Sequence, residues 1–366
     1  MADARMLPAH PPRKIARRAT PKPIAIKVKP FVVFLGLLTS VASASQVGAT
    51  TLNLETSPGQ RRVATVGNPE DYITSGFKGV ARLAGQENNF RSCSASLLKT
   101  GLHLLSAAHC LFSMKPQDYI IDFGEAKLSA AQFFIHPEYE DSNLANDIAI
   151  IELTTQAPQQ LTRYDIYRDS NEIGKVFNLV GYGALGTGDR GAGLSLADFD
   201  YQKRFGSNTY EATGELLNGL TQNHPVIPDE TKLAYDFDSG RPENDAFGVI
   251  FGSEYANLGL GLNEVNSSPG DSGSPNFIDG LIAGITSYGF GADYSDRMLS
   301  TDVTPTITDS SFGEFSVDTR VSFYADWIDS IVQNNNAVSI PEPRLITGLV
   351  IVGAGFLLKR NKTRQN

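Results

Sequence analysis

Between Val63 and about Val332 the apolar residues come in short runs, each closed by Gly, Asn, Asp or Pro, and this punctuation excludes most architectures. Leu102–Leu105, Tyr119–Phe123, Ile148–Leu153, Val176–Val180, Val249–Phe251 and Leu281–Ile285 are too short for packed helices and read as strands. With 34 Gly and 19 Pro available to turn the chain, an all-β domain over residues 63–333 is expected. One stretch differs. Phe323, Trp327, Ile328, Ile331 and Val332 recur at helical spacing and predict an amphipathic helix over about 321–333. Residues 184–247 and 289–314, rich in Gly, Asp, Ser and Thr, read as long surface loops or insertions.

Charge divides the chain into three. Residues 1–44 carry eight Lys/Arg against one acid, and residues 341–366 carry five against one. Residues 45–340 between them hold 38 acids and 18 bases, so a body this acidic disfavours nucleic acid as a partner. The basic ends read as targeting signals. In residues 1–44, seven bases from Arg13 to Lys29 precede the apolar run Phe31–Leu38, and Ala42-Ser43-Ala44 has the small residues of a signal-peptide cleavage site. Residues 45–62 then read as a linker or propeptide ending in Arg61-Arg62. At the other end, residues 334–343 form a linker carrying Pro341-Glu342-Pro343, and residues 344–366 combine apolar Leu345–Leu358 with a basic tail. That apolar run falls short of the roughly 20 residues of a comfortable bilayer span, so it reads as a marginal membrane anchor. The order Pro-Glu-Pro, apolar run, basic tail resembles the bacterial PEP-CTERM sorting signal, which implies an exosortase-type processing enzyme as a partner.

Export makes the cysteine count informative. Cys93 and Cys110 are the only two, and in an exported chain they are expected to form a disulfide worth about 3 kcal/mol. Neither C-x-x-C spacing nor a histidine cluster suggests zinc, and no metal or cofactor is expected.

Three blocks carry candidate chemistry. Ser272 sits in Pro-Gly-Asp-Ser-Gly-Ser-Pro, where small neighbours let the backbone turn tightly enough for the amides of Gly270 and Ser272 to point at one spot. His109, in Leu-Ser-Ala-Ala-His-Cys, has small neighbours that leave room beside the ring. The other histidines, His10, His103, His136 and His224, lack such a setting. Asp147 directly precedes the apolar run Ile148–Leu153, where an acid can enter the core edge and orient an imidazole. The chain order is His, Asp, Ser, with separations of 38 and 125.

Those blocks resemble the signatures of the trypsin/chymotrypsin family of serine proteases. His136-Pro137-Glu138-Tyr139, Gly181-Tyr182-Gly183, Ser287-Tyr288-Gly289 and the helix through Trp327 extend the resemblance over roughly 63–333. It implies two six-stranded antiparallel β-barrels with a C-terminal helix, and the site between them. His109, Asp147 and Ser272 would be the triad, Gly270 and Ser272 the oxyanion donors, and Ser287, Tyr288 and Gly289 the strand that pairs with substrate backbone. Peptide or protein substrates follow.

The sequence also departs from the family. Asn266 stands where trypsins carry the acid that binds Lys or Arg, so a small or neutral polar P1 residue is expected. Ser268 replaces a usual cysteine. Asp271 is the acid that pairs with a freed amine in family zymogens, and Val63 or Val66-Gly67 are the candidate new termini. Two rivals remain: an inactive homologue serving as an envelope scaffold, and an esterase, which the absence of a Gly-x-Ser-x-Gly elbow disfavours.

Overall fold

The structure, a computed structural model, describes residues 73–85, 92–193, 195, 198–220, 229–291 and 301–334. The expected signal peptide, propeptide, activation termini, Pro-Glu-Pro linker and basic tail lie outside the described residues. Among the described residues no helix is long and apolar enough to cross a membrane.

The first half forms a curled antiparallel sheet of seven strands. They are β1 (Val80–Gly85), β2 (Ser92–Leu97), β3 (His103–Ser106), β4 (Tyr119–Asp122), β5 (Lys127–Leu128), β6 (Ala130–Ile135) and β7 (Ala149–Leu153), in the order β5-β4-β1-β2-β3-β7-β6. Its buried side chains are largely aliphatic: Leu83, Leu97, Leu104, Leu105, Ile121, Ile150 and Ile151 are fully buried. Each contributes about 1.5–3 kcal/mol relative to exposure. After β3 the chain makes a single helical turn, α1 (Ala108–Leu111).

The second half repeats the plan. β8 (Val176–Gly181) is followed by a small hairpin of β9 (Gly186–Thr187) and β10 (Gly191–Ala192). Then come β11 (Arg204–Thr209), β12 (Ala212–Thr213), β13 (Lys232–Asp236), β14 (Pro275–Ile278), β15 (Leu281–Phe290) and β16 (Phe315–Arg320), ordered β11-β8-β14-β15-β16-β13-β12. A short helix, α2 (Ala246–Phe251), follows β13, and α3 (Ala325–Asn334) closes the domain after a 3₁₀ turn. Tyr324 and Ile328 reach back into the first core, and the rings of Tyr324 and Trp327 pack 5.2 and 5.1 Å from that of His136.

This is the chymotrypsin-like double β-barrel. Each sheet carries seven strands rather than the expected six, because the two-residue pieces β5 and β12 extend its edge. The predicted helix is present. Three readings need correction. Val249–Phe251 is not a strand but the end of α2. The Asp245 side chain caps that helix by accepting from Gly248 N at 2.6 Å, and Asp236 Oδ2 accepts from the amides of Ala246 and Phe247. Residues 184–247 are not loops throughout, since β11 and β13 lie in the sheet and Tyr210, Leu233, Tyr235 and Phe237 are buried. Their polar residues hid them: Asn208 is fully buried, its amide bonded to the carbonyls of Asp236 and Val265. Nor is 289–314 simply surface. Glu314, fully buried, accepts from the amides of Asp309 and Ser310 at 2.9 and 2.8 Å, so polar residues fold inward around one another.

Candidate active site

His109 is placed by the single turn of α1. Ala107 and Ala108 before it are fully buried. Two bonds pin the turn: Cys110 forms a disulfide with Cys93 of β2, and its carbonyl accepts from the Tyr119 hydroxyl at 2.7 Å.

Asp147 arrives from the adjacent strand, where the chain enters β7 beside β3. Asn146 before it has φ of 51°, the left-handed conformation that Asn tolerates better than most residues, and its side chain accepts from the Tyr324 hydroxyl at 2.9 Å. The turn aims Asp147 inward, with no exposed surface left. Oδ2 then lies 2.8 Å from His109 Nδ1, while Oδ1 accepts from the His109 amide at 2.8 Å. A carboxylate gripping both ring and backbone of one residue leaves the imidazole a single orientation. Burial pushes the Asp147 carboxyl up. The charge and hydrogen bond of His109, the charge of Lys232 and the hydrogen bond of Ser287 outweigh it and hold the group below its ordinary value.

Ser287 reaches Asp147 because β15 is irregular. The pairing with β16 slips between Thr286 and Tyr288, leaving Ser287 as the extra residue of a bulge. Its hydroxyl donates to Asp147 Oδ2 at 2.6 Å and stands 3.0 Å from Lys232 Nζ. Lys232, 1% exposed, also bonds the Thr319 hydroxyl at 3.0 Å, and Thr319 donates to the Asp147 carbonyl at 2.8 Å. Burial lowers the Lys232 ammonium to about 8, against the pull of Asp147 and Asp318. Neither the side-chain role of Ser287 nor Lys232 itself was legible in the sequence. The first depends on a bulge, and the second lies in a stretch read as loop.

Ser272 lies on the turn before β14. Gly273, at φ of 79°, lets this turn press against the first barrel, since a Cβ there would fall 2.3 Å from both Ser106 Oγ and the Ser94 carbonyl. The contact is made by backbone: Ser94 N donates to the Ser272 carbonyl at 2.7 Å, and Cys110 Sγ lies 3.6 Å from that oxygen and 3.8 Å from His109 Nε2. His109 and Asp147 therefore meet directly, and Ser272 adjoins them through its main chain. A Ser272 Oγ–His109 Nε2 hydrogen bond is not among the bonds formed here.

Within the turn the amides of Asp271, Gly273 and Ser274 are bonded, to the carbonyls of Ser268, Thr286 and Asp271. Those of Gly270 and Ser272 donate to no group among the described residues, and Gly270 holds φ at 101°. Asp271 is buried and accepts from Gly183 N at 2.8 Å, Ser268 N at 3.0 Å and Ser268 Oγ at 3.1 Å. Burial raises its carboxyl to about 6, and those bonds oppose the rise.

Asn266 is 2% exposed, and its Oδ1 accepts from Ser267 N at 2.9 Å and Ser316 Oγ at 2.6 Å. Tyr288 and Gly289 continue β15 away from Asp147, paired with Val317 and Ser316. Among the described residues two groups have spacing that suits a metal ion, Cys93–His109–Cys110 and Glu211–Asp236–Asp238. The first is committed to the disulfide and has no thiolate to offer.

With this geometry in hand, sequence comparison becomes specific. The trypsin family model matches residues 67–203, a span that contains His109 and Asp147 and ends before Ser272. The chain is 27% identical over 253 residues to a chymotrypsin of Phaedon cochleariae, covering 65% of this chain and 71% of that one. It is 25% identical over 220 residues to trypsin alpha of Drosophila erecta, covering 58% and 73% respectively. The comparisons support a trypsin-like serine protease. They support hydrolysis as the reaction class and protein or peptide substrates.

Proposed function

We propose that this chain is a secreted or cell-envelope serine endopeptidase in which Ser272 is the nucleophile, His109 the general base and Asp147 its orienting acid. The observation that carries the reading is the 2.8 Å contact of His109 Nδ1 with a fully buried Asp147. An ionised carboxylate there accepts the Nδ1 proton, so the lone pair of the neutral ring is on Nε2, the nitrogen turned toward the Ser272 segment. Ser272 Oγ passes its proton to Nε2 as it bonds to the substrate carbonyl carbon. The oxygen that becomes negative meets the two uncommitted amides of Gly270 and Ser272. The imidazolium then returns its proton to the leaving amine, and water repeats the sequence to free the acyl group.

Specificity and processing belong to the same proposal. Asn266, with its oxygen occupied by two donors, offers no negative charge to a P1 lysine or arginine, so P1 is small or neutral polar. The Pro-Glu-Pro tail directs envelope sorting by an exosortase-type enzyme, and the apolar run serves as a membrane anchor until then. Removal of residues 45–62 frees an amine for Asp271, which already accepts three hydrogen bonds without it. No observation favours the scaffold reading, because the groups an inactive homologue would be free to lose are all present.

A fluorophosphonate probe on the purified mature protein, followed by cleavage-site profiling on a peptide library, tests the proposal. Labelling at Ser272, with cleavage after small or neutral polar residues that Ser272→Ala abolishes, is expected. An unlabelled Ser272 removes the protease reading, and cleavage after Arg or Lys removes the specificity.

A further inference from the structure

The second barrel encloses a concentration of negative charge that catalysis does not use. Asp236 ends β13, Asp238 lies two residues beyond, and Glu211 joins β11 to β12, its amide bonded to the Ala234 carbonyl at 3.0 Å. One carboxylate oxygen from each of Glu211, Asp236 and Asp238 lies within 4.8 Å of the others. Glu264 closes the group from the chain that leads to Asn266. It is fully buried, and its two oxygens accept from Asp238 N at 2.9 Å and Leu260 N at 2.8 Å.

The second observation is what these groups lack. Asp238 has no exposed surface, yet both of its carboxylate oxygens are without a hydrogen-bond partner. Glu211 and Asp236 have only one another as side-chain partners, and no other group reaches the Glu211 carboxyl or Asp236 Oδ1 among the described residues. None of the four acids pairs with Lys or Arg among the described residues, and Asp245 alongside is occupied by Gly248 N and Asn257 N. Unpaired buried carboxylates are too costly to persist as ions. A bound cation removes that cost.

We propose that Glu211, Asp236 and Asp238 form a calcium site, with Glu264 holding Asp238 in place. The donors are all carboxylate oxygens, which suits a hard cation and not zinc or copper. The three oxygens lie within 4.8 Å of one another, close enough to share one ion at the roughly 2.3–2.6 Å bond lengths of calcium. The site has a structural purpose. Both cysteines lie in the first barrel, so no disulfide cross-links the second. The cation ties β13 to the β11–β12 connection, and Glu264 passes that constraint to the segment carrying Asn266 and Ser272.

Calcium titration by calorimetry and thermal unfolding of the EDTA-treated full chain tests this, using the Ser272→Ala form so that self-digestion does not enter. One calcium per chain is expected, with Tm raised by about 5–10 °C at a hundredfold excess over Kd. Asp238→Asn loses both effects. Should that variant not fold, Glu211→Gln, at the more open end of the group, loses them as well. The proposal is overturned if calcium up to about 10 mM, beyond the weakest extracellular calcium modules, neither binds saturably nor moves Tm. A full calcium response kept by the folded variants overturns it equally.

Discussion

The two barrels share a plan and differ in what fills them. In the first, the buried polar groups are few, mainly Ser94, Ser96, His103, Ser106 and Asp147, set among aliphatic side chains and backed by a disulfide. The second buries Lys232, Asp236, Asp238, Glu264, Asp271 and Asp318, with no covalent link, and its apolar residues divide into two smaller clusters. Apolar packing and a covalent bond respond little to pH or ions. Buried charges respond to both. The first barrel is therefore a fixed mount for His109 and Asp147, and the second a tunable one for the nucleophile and the pocket.

Removing the covalent link tests the contrast most severely. The Cys93–Cys110 bridge spans a sequence separation of 17, and replacing both cysteines by alanine is expected to lower stability by about 3 kcal/mol in urea unfolding. Because Cys110 follows His109 directly, kcat falls as well, through a looser base. If both quantities survive, the first barrel is held by packing alone and the contrast weakens.

How far the sequence reveals each half follows from the same difference. The strands of the first barrel announce themselves as aliphatic runs, and the His109, Asp147 and Ser272 blocks stand out because small residues surround groups that need space. The second barrel hides β11 and β13 behind Arg204, Asn208 and Lys232, whose polar side chains are buried against partners far along the chain. Only the fold supplies those partners. The turn of Ser287 toward Asp147 depends on a one-residue slip in strand pairing, which no pattern of residue types encodes. The helix at Ala246–Phe251 is different: Asp245 three residues before Gly248 is a cap signal within the sequence, outweighed by a short apolar run.

Lys232 gives the next test, in which a buried charge should behave unlike anything in the first barrel. Its ammonium is lowered from an ordinary 10.5 to about 8, chiefly by burial, so its surroundings disfavour the charge despite Asp147 and Asp318. The folded state then binds fewer protons than the unfolded between those values, and this group's contribution to stability grows as pH rises from about 8 to 10.5. Lys232→Met leaves Asp147 and Asp318 without their buried counter-charge, and is expected to destabilise the protein by about 3 kcal/mol at pH 7 while flattening that rise. The profile of kcat/KM against pH should show an inflection near 8, where the charge behind Asp147 disappears, and the variant should lack it. Denaturant unfolding at pH 7 and pH 10, with that profile, decides the matter. A destabilised variant with an unchanged profile makes Lys232 an ordinary packing residue.

The smallest effect belongs to Ser268, and it probes the carboxylate that neighbours the nucleophile. The Ser268 hydroxyl has one proton for two acceptors, Asp271 Oδ2 at 3.1 Å and the Ala184 carbonyl at 2.9 Å. Asp271 titrates near 6 in the folded chain, above the ordinary carboxyl value, so ionising it already erodes stability as pH climbs toward 6. Removing one of its three donors penalises only the ionised form. Ser268→Ala should therefore cost about 1 kcal/mol above pH 6 and progressively less below it, as the carboxyl takes up its proton. Unfolding at pH 8 and pH 4.5 reads the difference directly. An equal cost at both values would place the whole effect in the bond to Ala184 and leave Asp271 indifferent to its neighbour, whereas a cost confined to the higher pH shows the turn that carries Ser272 depending on a charge the first barrel never needed.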